Sequence, residues 1–149
     1  MSLNERINSD MKEAMKSGER TRLETLRTIR AHIIELQKRG TGAEITVDDE
    51  LSVLMTAVKK RKEAIELYDK AGRTDLAEQE RRELDIISTY LPRQVSREDA
   101  ERLIGQIIVD AGATTAKDFG KVMPLAMRDL KGKFDGKTVQ EIVKAKLGG

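Results

Sequence analysis

The residues best suited to chemistry lie near the end of the chain: Lys121, Arg128, Lys131, Gly132, Lys133, Gly136 and Lys137. Cations interrupted by glycines suit an anion, because the side chains supply charge and donors while glycine lets a backbone approach closely. Drawn as a helix at about 100° per residue, Phe119, Val122, Met123, Ala126 and Leu130 fall on one side, and Lys117, Lys121, Arg128 and Lys131 gather on the other. One face can be buried; its opposite is cationic. Lys131-Gly132-Lys133-Phe134-Asp135-Gly136-Lys137 then reads as a turn, and Thr138 leads into a last amphipathic helix carrying Val139, Ile142, Val143 and Leu147.

Two readings of that turn stand side by side. The first amides of a helix lack intrahelical acceptors and sit at the positive end of its dipole, so a phosphate placed there would gain hydrogen bonds as well as charge, reinforced by Lys133 and Lys137. In the other reading Asp135 itself caps the last helix, the glycines only supply positive φ, and the lysines are solvated.

Charge is distributed in the same sense. Residues 1–95 carry eighteen Lys and Arg against eighteen Asp and Glu, whereas residues 117–149 carry eight against four. So modest an excess suits a few phosphate contacts and falls short of a dedicated basic domain.

Other chemistry has fewer parts. There is no cysteine and only one histidine, His32, which excludes disulfides, thiolate nucleophiles and Cys-ligated zinc and leaves no second partner for a conventional triad. Gly132 to Thr138 superficially resembles a phosphate-binding loop, but G-x-x-x-x-G-K-T needs glycine where Lys131 stands, and no strand precedes it. Asp48, Asp49 and Glu50 match a helix dipole better than a calcium loop. Glu78, Glu80, Glu83 and Asp85 alternate with Arg81 and Arg82 as surface pairs would, and Lys59-Lys60-Arg61-Lys62 points in four directions on a helix and reads as a solvated face. No catalytic residue, metal site or cofactor is expected.

The elements that must position the basic turn are all helical by periodicity. Charged residues make up 36% of the 149 residues and aromatics 3%, which favours helices packed through small aliphatic side chains. A first helix spans Leu3 to Lys16, burying Leu3, Ile7, Met11, Ala14 and Met15, with Gly18 ending it. A second runs from Thr21 to Arg39 along Leu23, Leu26, Ile29, Ile33 and Leu36, and places Arg30 in that stripe as a buried arginine seeking a carboxylate. After a break at Gly40-Thr41-Gly42-Ala43, Thr46 opens a third helix to Ala71 with Leu51, Leu54, Met55, Val58, Ile65 and Tyr68 inside, pairing with the second as an antiparallel hairpin. Thr74 caps a fourth helix through Leu76, Leu84, Ile87 and Leu91, which Pro92 stops. Tyr90 to Val95 is the candidate hinge. Ser96 with Asp99 and Thr115 with Asp118 cap a fifth and a sixth helix, the fifth burying Leu103, Ile104, Ile107 and Ile108, and the Thr138 helix closes the set. The fold expected is all-α: an N-terminal bundle of about four helices over residues 1–92, then a three-helix domain over residues 96–149. No segment has a secretory core or approaches the length of a membrane span, so the expected location is the cytoplasm.

Three groups of residues also resemble the hallmarks of the GatB/YqeY family. They are Gly72-Arg73-Thr74-Asp75-Leu76, then Tyr90-Leu91-Pro92-Arg93-Gln94-Val95-Ser96, and the Gly120-Lys121-Val122-Met123, Lys131-Gly132 and Asp135-Gly136-Lys137 set with its following helix. The likeness covers nearly the whole chain, which looks like a free-standing YqeY-like protein. Relatives implied by it include the tail domain of the B subunit of the tRNA-dependent amidotransferase and an appendix of some glutaminyl-tRNA synthetases, where the module is taken to help hold tRNA. The resemblance therefore implies tRNA as a partner, gripped by Lys121, Arg128, Lys131, Lys133 and Lys137 with Gly132 and Gly136 allowing close approach. It also implies a synthetase or amidotransferase as a possible protein partner. A carbon-nitrogen ligase activity would belong to larger catalytic domains. Pro124 departs from the family pattern, removing an amide inside the sixth helix where a kink is expected.

Overall fold

A computed structural model describes residues 2–39 and 44–148; the break expected at Gly40–Ala43 lies outside the described residues. Those residues form seven α-helices and one short 3-10 turn, with no strand. The protein is all-α. Contacts divide the chain into two compact units, Met1–Leu91 and Pro92–Gly149.

In the first unit, α1 (Leu3–Ser17), α2 (Arg20–Arg39), α3 (Val47–Lys70) and α4 (Thr74–Ser88) begin and end where local chemistry demands. Ser2 and Glu5 form a reciprocal capping box on α1, and Thr46 with Asp49 does the same on α3, each satisfying amides that the helix leaves without acceptors. Gly18 closes α1 at φ 74°, a backbone that costs a residue with a Cβ about 1–2 kcal/mol, and donates its amide to the carbonyl of Ala14. Helix α1 packs along α2 and α3 along α4, each pair joined by a short turn, while α2 also meets α4 and, less extensively, α3. The expected α2–α3 pairing is thus one of the smaller contacts of the bundle. Ile7, Leu26, Ile29, Ile33, Leu54 and Ile87 fill its core.

Three expectations for this unit change. Arg30 is exposed: the buried side of α2 runs through Thr25, Leu26, Ile29 and Ile33, which leaves Arg30 on the flank. Met15 is exposed as well, because α1 buries only Ile7, Met11 and Ala14. Thr74 begins α4 but does not cap it; Arg73 occupies the cap position and forks its guanidinium onto Asp75, holding that carboxyl below the usual range.

In the second unit, α5 (Arg97–Asp110), α6 (Phe119–Leu130) and α7 (Gly136–Lys146) each touch the other two. Their shared core is Ala100, Ile104, Val122, Ala126, Leu130, Val139, Ile142 and Val143, with Phe119, Met123 and Phe134 against its edge. Thr115 and Asp118 act one turn earlier than expected, on the 3-10 turn Ala116–Asp118 that leads into α6. Helix α6 continues through Pro124, which is exposed and lacks the amide its neighbours donate.

Candidate nucleic-acid interface

Lys121 and Arg128 stand two turns apart on the exposed side of α6, opposite Val122, Ala126 and Leu130. Lys131 and Lys133 lie in the turn after it, the first half-buried and the second exposed, and Lys137 is exposed in the first turn of α7. Thus the core-facing and cationic sides of α6 separate as the periodicity predicts, because burying the apolar side leaves residues about 180° around the helix in water.

The cations are not equally available. Arg128 binds its neighbour Asp129, Nε to Oδ1 at 3.1 Å, and that hydrogen bond raises its pKa. Lys121, Lys131, Lys133 and Lys137 have no ion pair within 4.0 Å among the described residues. Asp118 is turned to its own backbone: the amides of Thr114 and Thr115 donate to Oδ2 at 2.8 and 3.2 Å and hold its carboxyl below the usual carboxylate range, with Lys121 a smaller contribution.

Of the two readings of the α7 terminus, the cap is the one observed. Asp135 Oδ2 accepts the Thr138 amide at 3.1 Å and the Thr138 hydroxyl at 2.7 Å. A carboxylate of the chain itself therefore occupies the place that a phosphate would take at this helix start. The two glycines differ in their surroundings, Gly132 being buried and Gly136 half-buried. Gly132 is buried, adopts φ 78°, and its carbonyl accepts the Gln94 side chain; a Cβ on Gly136 would stand 3.5 Å from Met127 Cε.

Gln94 is the residue that sequence reasoning missed here. Its Nε2 donates to Gly132 O at 2.7 Å and to Pro92 O at 2.9 Å, while the Val95 amide donates to Lys133 O at 2.9 Å. Two motifs far apart in sequence are tied together in this way. Both lie in stretches that resemble hallmarks of the same family, but separation along the chain gave no hint of contact.

The first unit holds a second surprise. Arg61, read as one of four solvated cations, is 9% exposed, with its guanidinium 3.5 Å from Glu83 and donating at 3.3 Å to the carbonyl of Ala57. The signal was present: Leu54, Val58, Ile65 and Tyr68 leave a gap at the i+7 position, which Arg61 fills. Glu80 feels the same cluster, its pKa raised by burial first and by Glu83 second, against the pull of Arg61. His32 lines a cleft of about 390 Å³ with Glu35, Arg39, Ser52 and Lys60, where Arg39 is already paired with Glu35. Among the described residues no group of three His, Cys, Asp or Glu could hold a metal ion, and no helix is long and apolar enough to cross a membrane.

The molecule is thus a two-unit helical protein whose second unit carries lysines without close ion pairs, among the described residues, on α6, α7 and the turn between them. Its sequence matches the family described as Yqey-like protein over residues 4–147, and the chain belongs to that family. It is 32% identical over 152 residues to altered inheritance of mitochondria protein 41, mitochondrial, of the fungus Pyrenophora tritici-repentis, covering 95% of this chain and 81% of that protein. It is also 35% identical over 91 residues to an uncharacterized protein of Schizosaccharomyces pombe, covering 60% of this chain and 72% of that one.

Proposed function

We propose that the chain is a non-catalytic accessory module of aminoacyl-tRNA metabolism that binds tRNA through its backbone phosphates. The grip would come from Lys121, Arg128, Lys131, Lys133 and Lys137. The observation that carries this reading is the set of four lysines with no ion pair within 4.0 Å among the described residues, all on α6, α7 and the turn between them. Charge separates the units in the same direction: the first has seventeen Lys and Arg against eighteen Asp and Glu, the second eleven against eight. Arginines of both units are engaged with acids, Arg20, Arg22, Arg39, Arg73 and Arg81 in the first and Arg97, Arg102 and Arg128 in the second.

Because Asp135 already caps α7, contact with phosphate falls to ammonium groups and not to helix amides. Such contacts read the shape of a backbone. Base stacking needs exposed aromatics, and the only two aromatics of this unit, Phe119 and Phe134, pack against its core.

A mobility-shift titration of tRNA at several salt concentrations tests the reading. Replacing Lys131, Lys133 and Lys137 together by alanine should weaken binding and flatten the plot of log affinity against log salt by about 2–3 units, at roughly 0.7–0.9 per phosphate contact. Unchanged affinity and slope sink it. A partner protein retained on the chain after RNase treatment, with no tRNA bound, would instead favour an adaptor for a synthetase or an amidotransferase.

A further inference from the structure

We propose that the segment Pro92–Val95 belongs to the same RNA site, with Arg93 as a further phosphate contact and Gln94 as the residue that positions the Lys131–Lys133 turn. This rests on the reading of the basic turn as an RNA site. Every part of the segment except Arg93 is committed to that turn or to holding itself against it. The Gln94 amide bridges Pro92 O and Gly132 O, and the Val95 amide reaches Lys133 O. Pro92 has a fixed φ and no donor to lose. Gly132 is buried in a left-handed backbone, so the bond to its carbonyl fixes the one position where the turn is free to take another shape.

Arg93 sits between these bonds. Its Cα is about 3.8 Å from that of Gln94, and its side chain is exposed with no ion pair among the described residues. A guanidinium presents donors in a planar fork that fits two phosphate oxygens at once, which the ammonium groups of Lys131 and Lys133 cannot do. Added to them, it would give the site cations from two distant stretches of the chain.

Three variants of the full chain separate the possibilities, with an unmodified tRNA transcript as the probe, titrated at several salt concentrations. Arg93→Ala should weaken binding severalfold at low salt and lower the salt slope by about 0.7–0.9, and Arg93→Lys should restore the slope. Gln94→Met keeps the length of the side chain and every charge of the site but removes the amide donor. It should weaken binding severalfold with the slope unchanged, and amide exchange at Val95 should accelerate as the bond to Lys133 O loosens. The third variant is the triple lysine substitution described above.

If the triple variant loses affinity while Arg93→Ala binds with the native affinity and slope, Arg93 is no contact and the inference fails, although the basic turn stands. Faster exchange at Val95 in Gln94→Met without any loss of RNA binding would make Gln94 a structural residue only, and overturns its positioning role. A triple variant that binds like the native chain overturns the underlying reading instead.

Discussion

Arg61 shows how a charged residue can be set by packing before it is set by electrostatics. Its stem lies in the α3 stripe between Ala57, Val58 and the α4 side chains, and its head finds Glu83, leaving Nε without a partner. Removing one member of a buried pair strands the other, so Arg61→Ala should cost about 2–4 kcal/mol, below the fully buried case because Glu83 keeps some water. Replacing both, as Arg61→Met with Glu83→Leu, should recover most of that loss; urea midpoints at constant m-value measure both. Tyr90 is a second such residue. Its hydroxyl donates to Asp10 while Arg6 lies 4.7 Å above its ring. Tyr90→Phe should therefore cost about 1–2 kcal/mol at neutral pH. Burial, then the bond to Asp10, raises the phenol above its ordinary value of 10.0. The native chain keeps its proton where the unfolded chain releases it, so stability falls as pH rises past that value. The phenylalanine variant should lose less stability above it, which an alkaline unfolding series will show.

Helix ends were readable in advance because they are local chemistry. Ser2, Thr46, Ser96 and Asp135 each sit one residue before the first helical position and each accepts an amide of the first turn. Thr74 had the right type and the wrong role: the fork of Arg73 onto Asp75 settles the start of α4 without a side-chain cap. The α7 terminus gives a test at this scale. Asp135→Ala should cost about 0.5–2 kcal/mol by losing the cap. Asp135→Asn retains a cap and removes one negative charge from the turn, so tRNA affinity should rise at low salt while stability changes little. A fall in affinity for the asparagine variant would argue that the turn does not face an anion.

Across the molecule, two separate apolar clusters follow the two units, one built on Leu26, Ile29 and Leu54, the other on Ile104, Leu130 and Val143. Leu130 is fully buried in the smaller unit, and Leu130→Ala should cost about 2.7–5 kcal/mol. A unit of this size has little reserve. Hydrogen exchange should show the loss of protection concentrated in α5, α6 and α7, with α1 to α4 keeping theirs. The sequence by itself determined the helical class, most of the helix ends and the apolar and cationic sides of α6, since each follows from spacing and capping within about one or two turns. It fixed neither which arginine is buried nor what holds the basic turn. Arg30 and Arg61 both sit near an apolar stripe, and only the helices packed against them decided that α3 would bury its arginine beside Glu83 while α2 left its own in water. The bonds from Gln94 and Val95 to Gly132 and Lys133 join residues whose nearness exists only once α5, α6 and α7 have closed on a common core.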